Sequence, residues 1–413
     1  MMTQRRHIWH YSLDSLMVFA ILGVVFIPFP FHLFHLSLAD HVFGGLIHFL
    51  SGYCSSDFKL SISSDSASMY VLIGILFIFS LVLSFCLRYI KWWHINREKM
   101  MFLLRRILLY YLALQLLTYG FDKIFKGQFY SPEPNIFYTP LGQLDKDMLF
   151  WSAVGTSYLY TFFTGLIECL VGCMLFFRRT RDFALCLAVM VLSHVLLINL
   201  GFDISVKLFS AFLLFIALLL LSPQLNRLYS FFVLHNLDTL KREVETFSVM
   251  YHGFVRVSLK TFIIGMLFLE ALYPALKSGQ LNDDSVPRPF LHGAYEIVGM
   301  KEDELAVNIC QSPVRRFFIH REGYLIFQDW QDKMTDYQLT INPEKNQMLL
   351  TDYHSEQIKV TYKWLAKDAI LELSYFDGHH LHHYKAKALH WKELPVLKKQ
   401  FHWTMDSYGE GHE

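Results

Sequence analysis

The sequence predicts a membrane all-α bundle of about seven transmembrane helices, followed by a C-terminal all-β extracytoplasmic domain built as a small barrel or sandwich. Three observations carry this. The 413 residues are 54% hydrophobic and only 18% charged, which is apolar for a water-soluble chain. Seven apolar runs, at 13–36, 68–90, 100–119, 154–177, 182–200, 204–222 and 258–276, approach the roughly 20 residues that a bilayer crossing needs. Beyond Pro274 such runs give way to short alternating ones separated by turn residues, as in antiparallel strands.

Residues 1–99 hold the first two spans. The first follows Arg5 and Arg6, contains Pro28 and Pro30 and lacks a small-residue cleavage site, so it reads as an uncleaved anchor. At its outer end "PFPFHLFHL" sets His32 and His35 at i, i+3; rings at that level anchor to the interface or border a pocket. A Ser-rich outer loop without periodicity, "SGYCSSDFKLSISSDSAS", leads to the second span. Residues 100–222 carry four spans. Residues 223–257 mix Leu225, Leu228, Phe231, Phe232 and Leu234 with Arg227, Lys241 and Arg242 and are expected to lie along the cytoplasmic interface. Residues 258–284 comprise the last span and a linker, "KSGQLNDDSVPRP".

In residues 285–413 eight runs alternate with period two: "YEIVGM", "RFFIH", "YLIFQ", "YQLTI", "QMLL", "QIKVTY", "AILELSYF" and "HLHHYKAKAL". Turns fall at "HREGY", "NPEKN" and "FDGH", so the strands form an antiparallel meander that closes on itself.

Basic residues mark loops that stay cytoplasmic. Arg5, Arg6, Arg88, Lys91, Arg97, Lys99, Arg178, Arg179, Arg181, Arg227, Lys241, Arg242, Arg256 and Lys260 fall on one side, against Lys59, Lys123, Lys126, Lys146 and Lys207 on the other. The N-terminus is therefore expected in the cytoplasm and the β domain in the periplasm. With no transit or retention signal, the default is a bacterial inner membrane. The net charge of +1 leaves no electrostatic footprint for nucleic acid.

Four of the six cysteines, Cys86, Cys169, Cys173 and Cys186, lie in apolar spans and read as packing residues. Cys54 and Cys310 are expected outside, where they could pair. The i, i+4 spacing of Cys169 and Cys173 is not that of a CxxC redox pair. The sequence has no phosphate-binding glycine loop, HExxH or GxSxG motif.

Within 100–222, "RRILLYYLALQLLTYGFDKIFKGQF", "GLIECLVGCMLFFRRTRDFALCL" and "INLGFDISVKLFS" resemble the DoxX-like integral membrane proteins. The shared pattern is an Arg near the start of a span, Gly120 and Lys123 at its outer end, a Gly-rich second helix and a double-Arg turn. Some members of that family are associated with thiosulfate oxidation and quinone reduction. The resemblance thus offers a quinone as a candidate ligand but assigns no cofactor, because the chain has no redox-cofactor motif of its own and the activity does not transfer with the resemblance alone.

Ionisable groups inside spans are expensive and by default mark function. Glu168 is expected near mid-bilayer with His194 or Lys207 as its base, and Glu168, His194 and Lys207 are the candidate catalytic groups. Lys123, Gln128, Asn199, Asp203 and Glu270, gathered toward the outer side of the membrane with Lys123 and Gln128 at or just beyond its surface, are the candidate cofactor-binding groups. Asp203 is also well placed to cap the start of the sixth span. Lys207 sits where a cation opposes the helix dipole, so it is expected to salt-bridge Asp203, snorkel or serve a pocket. Glu168 read without chemistry is a helix–helix clamp. His379, His380, His382 and His383 crowd one strand, His380 and His382 on one face, but lack a local third metal ligand; no metal site is assigned.

Three functions remain open at this stage. The first is a quinone- or lipid-binding component of a membrane redox system, with an outward polar pocket that passes protons. The second is a non-catalytic anchor that presents the β domain to an extracytoplasmic protein. The third is an enzyme with Lys123 or Lys207 as base, which resembles vitamin K-dependent carboxylases only in broad architecture.

Overall fold

The computed structural model describes residues 2–27, 38–51, 64–235, 253–302, 305–307, 313–376 and 380–398. The candidates Cys54, Cys310, His32, His35 and His379 lie outside them. The chain divides into two compact units: Met1–Gln128 with Tyr158–Asp283, and Phe129–Ser157 with Asp284–Glu413.

The first unit is helical: α1 (Met2–Phe26), α2 (Leu38–Ser51), α3 (Ala67–Leu87), α4 (Lys91–Ile124), α7 (Tyr158–Leu175), α8 (Arg181–Gly201), α9 (Lys207–Leu221), α10 (Leu225–Phe232) and α11 (Gly253–Ser278). Six stretches are long and apolar enough to cross a membrane: Ala67–Leu87, Lys91–Ile124, Tyr158–Leu175, Arg181–Gly201, Lys207–Phe232 and Val257–Ser285. The chain is a multi-pass membrane protein. The first expected span falls in α1, whose described apolar part, Ser12–Phe26, is shorter than a crossing.

Three boundaries differ from the sequence reading. α4 starts at Lys91, well before the apolar run, because Lys, Arg and Glu are themselves good helix formers. Its basic first turns are anchored where Arg97 makes a bidentate contact with Asp14 of α1, Nε to Oδ2 at 2.7 Å and Nη2 to Oδ1 at 2.5 Å. The fourth run is interrupted at Thr156–Ser157, so α7 begins at Tyr158. α2, of 14 residues, was not expected; it is apolar but too short to read as a span.

α4 and α7 approach closely because glycines face each other. A Cβ on Gly165 would meet Gly120 O at 2.5 Å, and one on Gly120 would meet Gly165 O at 2.8 Å. Small residues at a crossing let two backbones approach and exchange dispersion contacts, the chief source of helix association in lipid. Lys260 of α11 donates to Phe176 O at 2.7 Å, placing a cation on carbonyls just past the end of α7.

The second unit is a β-barrel: β1 (Gly293–Glu302), β2 (Leu305–Val307), β3 (Arg316–His320), β4 (Tyr324–Gln328), β5 (Met334–Asn342), β6 (Gln347–Thr351), β7 (Gln357–Leu365), β8 (Ile370–Phe376) and β9 (Leu381–Ala388). From β3 to β9 each strand pairs antiparallel with the next. β1 pairs with both β3 and β9, closing eight strands into a ring, while β2 pairs antiparallel with the last residues of β1. Closure leaves the ring without a free edge. The eight alternating runs are these eight strands, and the antiparallel meander closes as a small barrel. A register shift between Ile297 and Gly299 bends β1 where the ring must turn. At the β3–β4 turn, Gly323 has φ +75°, a left-handed conformation that glycine adopts without steric cost.

Period two sends Tyr295, Ile297, Phe317, Leu325, Leu350, Val360, Leu373 and Tyr384 inward to one core. A second, small cluster forms outside the ring: Ala294, Phe318 and Ile326 are covered by Tyr138, Leu389 and Trp391. Tyr138 belongs to Phe129–Ser157, which carries α5 (Pro134–Phe137) and α6 (Lys146–Gly155). This segment between α4 and α7 is thus part of the barrel unit.

Candidate functional site

Several of the groups singled out from the sequence are held in local contacts between neighbouring helices. Glu168 is buried on α7 and accepts two hydrogen bonds from Lys123 Nζ of α4, at 2.8 and 2.6 Å. Its partner is Lys123 rather than His194 or Lys207, because the glycine crossing of α4 and α7 brings those two side chains together. A buried pair of this kind, 9% and 6% exposed, satisfies both charges and clamps the two helices. His194 is exposed on α8 and makes no hydrogen bond or ion pair with any described residue.

Lys207 opens α9. Its Nζ lies 2.7 Å from Asp203 Oδ1 and 3.7 Å from Asp65 Oδ2, so the expected Asp203 salt bridge is present with a second carboxylate beside it. The cap of α9 is Asp65, not Asp203: the Asp65 carboxylate accepts from the backbone N–H groups of Lys207 and Leu208, each at 2.9 Å. Asp203 instead sits at φ +55° in the turn, with its carboxylate largely in solvent. Asn199 of α8 donates to Ser210 Oγ of α9 at 3.1 Å, a tie between neighbouring helices. Glu270 is buried on α11. Gln128 is half-buried just past α4, its Oε1 without a hydrogen-bond partner among the described residues. Cys86, Cys169, Cys173 and Cys186 are free thiols.

In the barrel unit, the described histidines at the start of β9 and just before it are engaged locally. His383 Nδ1 lies 2.7 Å from Ser374 Oγ, His382 stacks on Tyr375 with centroids 5.0 Å apart, and His380 approaches Glu302 at 3.9 Å. Among the described residues no three His, Cys, Asp or Glu side chains gather as a metal site.

The site that the fold does build is inside the barrel. The strand register sorts the lumen into two halves. Near the start of β1 it is plugged by aromatic rings: Tyr295 stacks on Phe317 at 5.0 Å and meets Trp364 edge-on at 6.3 Å, and its hydroxyl donates to Leu291 O at 2.8 Å. Toward the β4–β5, β6–β7 and β8–β9 turns the lumen holds a cavity of about 330 Å³. Its walls include Ile297, Phe327, Leu350, Val360, Leu373 and Tyr384. Asp329, Lys333 and Thr335, at the β4–β5 turn, supply polar groups at its end. An eight-stranded barrel is just wide enough either to be filled by side chains or to hold one small ligand; this one does the first at one end and leaves room for the second at the other. The volume lies at the lower end of the roughly 300–1,000 Å³ of drug-sized sites.

The plugged end carries a buried charge cluster. Glu133, from the segment preceding α5, receives His292 Nε2 at 2.7 Å, the Arg321 backbone N–H at 3.3 Å and Arg321 Nε at 3.4 Å. Arg321 also lies over the Tyr130 ring at 3.7 Å. Burial alone would push the Glu133 carboxyl up, but the hydrogen bond and charge of His292, with His320 and the Arg321 N–H, hold it below the usual carboxylate value. Burial also lowers the His320 imidazole, against the opposing pull of Glu133 and Glu322.

Compared with protein-family models, curated proteins and solved structures, the chain matches none.

The lumen residues were legible as inward strand positions, but the cavity was not. It exists because the rings concentrate at one end, and that depends on the register around the closed ring.

Proposed function

We propose that this membrane protein binds a small apolar molecule in its barrel, with the helices as a membrane base that needs no chemistry of its own. The half-filled lumen carries this reading: an apolar chamber of about 330 Å³ behind a plugged end fits a ligand better than a purely structural core, which packs to crystal-like density. The coupling of Lys123 to Glu168, and of Lys207 to Asp203 and Asp65, supports a structural role for the helix charges. Native mass spectrometry of the full chain, purified in mild detergent, tests the reading. One apolar adduct per chain is expected, absent from Val360→Trp, which fills the chamber; no adduct on the unaltered chain overturns it. The bias of basic residues supports a barrel on the periplasmic side of a bacterial inner membrane.

A second reading keeps the DoxX-like kinship and a quinone as the ligand. It is supported by Gln115, fully buried on α4 with neither amide atom hydrogen-bonded among the described residues, about two turns before Lys123 and roughly a quarter turn around the helix from it. A quinone carbonyl would accept from such an amide, and the Lys123–Glu168 pair would exchange protons on reduction. Quinone in the lipid extract, with thiosulfate-dependent quinone reduction lost in Gln115→Leu and Lys123→Met, is the expected result. Extracts free of quinone from active, folded protein sink it.

A further inference from the structure

The three hairpin turns around the open end of the barrel each carry an exposed apolar side chain. These are Trp330 between β4 and β5 (42% exposed), Tyr353 between β6 and β7 (82%), and Phe376 with Leu381 flanking the β8–β9 turn (62% and 46%). The hairpin turns at the plugged end, at 320–324, 342–347 and 365–370, carry no exposed large hydrophobic residue. Single exposed apolar residues are ordinary, as Phe290 ahead of β1 is; one on each hairpin turn around the entrance of an apolar chamber, and none on the turns opposite, is not. Trp and Tyr favour the membrane–water interface, where an amphipathic ring meets headgroups and upper acyl chains together.

The rim also has a polarity. Lys333 borders the chamber, is exposed and forms no ion pair with any described residue. Its neighbour Asp329 is turned inward on the hairpin, Oδ1 accepting from the backbone N–H groups of Gln331 and Lys333, each at 2.8 Å. Arg315 is held by Asp332 at 3.4 Å and lies 5.5 Å from the centre of the Trp330 ring.

We propose that this rim docks on a lipid surface, and that the chamber behind it takes up the acyl chain of an anionic single-chain amphiphile whose head group pairs with Lys333. The proposal deepens the reading of the barrel as a small-molecule site and rests on it. Apolar turns that enter a leaflet give an acyl chain a path into the lumen without exposing its methylenes to water. The plug of Tyr295, Phe317 and Trp364 limits how far the chain enters, so short and medium chains are favoured.

The test uses the full chain held in amphipol and labelled dodecanoate as probe. The probe is delivered either from phosphatidylcholine vesicles or as a cyclodextrin complex; Val360→Trp and Ile358→Phe, both at residues of the chamber wall, are two independent chamber-filled controls for label in the amphipol. The unaltered chain is expected to load by both routes. Trp330→Asp/Tyr353→Asp/Phe376→Asp should load from vesicles at least roughly tenfold more slowly and from cyclodextrin at an unchanged rate to an unchanged occupancy. Lys333→Glu should weaken dodecanoate about fivefold and leave dodecanol unaffected. Loading that is equally fast from vesicles with the altered rim overturns the docking surface. Equal effects of Lys333→Glu on acid and alcohol overturn the head-group assignment. No loading above the chamber-filled controls by either route overturns the small-molecule reading itself.

Discussion

Lys207 opens a helix at the end where the backbone dipole disfavours a cation, and two carboxylates compensate it. One, Asp203, is four residues away on the same turn; the other, Asp65, also caps the helix from 142 residues upstream. The two are expected to differ in weight. Asp65→Ala removes a cap and should cost about 1–2 kcal/mol, whereas Asp203→Asn, at a largely solvated carboxylate, should cost under about 0.5 kcal/mol; thermal unfolding in detergent measures both. The local pair was legible in the sequence through its i, i+4 spacing, and the distant cap was not, because nothing local marks which loop reaches a helix start. The same limit hid the partner of Glu168. Its burial was legible, but which base faces it depends on the rotation of α4 against α7. Lys123→Met alone leaves a buried carboxylate unpaired and should cost about 3–5 kcal/mol. Lys123→Met/Glu168→Leu should recover most of that loss if the pair is a clamp, so the double-mutant cycle separates a clamp from a site that needs the charges.

At the scale of elements, the crossing of α4 and α7 depends on the absence of a side chain. Gly165→Leu puts atoms where Gly120 O already lies 2.5 Å from an added Cβ, so the helices must separate; loss of the monodisperse peak in size-exclusion chromatography is expected. The segment 129–157 shows a different dependence, on pH. His320 has a lowered imidazole pKa in the folded state, so the unfolded or undocked form binds more protons just below the ordinary histidine value of about 6.5. Docking is therefore at full strength above that value and weakens as pH falls toward the folded pKa. The Glu133 carboxyl is also lowered, so its contribution is present above the ordinary carboxyl value and is lost as pH falls through its folded pKa. Both signs agree: acidification loosens the segment. Hydrogen exchange over 129–157 should rise between pH 7.5 and 5.5 after correction for intrinsic rates, and His320→Gln should flatten that rise. The strands of the barrel were legible because period two is written into consecutive residues such as "QIKVTY". This segment was not, since its short helices α5 and α6 have no strong period and take their place from Glu133, Tyr138 and the strands they cover.

For the whole molecule, the barrel unit is discontinuous in sequence, assembled from Phe129–Ser157 and Asp284–Glu413. A fragment beginning at Asp284 would bare Phe318 and Ile326 where Tyr138 covers them and leave Arg321 and His292 without Glu133. Such a fragment is expected to aggregate, and fusing residues 129–157 to it through a flexible linker should restore a soluble barrel, as judged by light scattering and near-UV circular dichroism. The outline of helices followed by strands was readable from composition alone, whereas this discontinuity was not, because an insertion between two spans looks like any loop until its partner strands are known. The same discontinuity sets a timetable during synthesis. Residues 129–157 leave the ribosome first, and the strands they cover follow only after α7 to α11, on the order of 10–30 s later at ordinary translation rates. For that interval Tyr138 has no surface to rest on, and the newborn chain must keep it from other partners until β3 and β4 arrive.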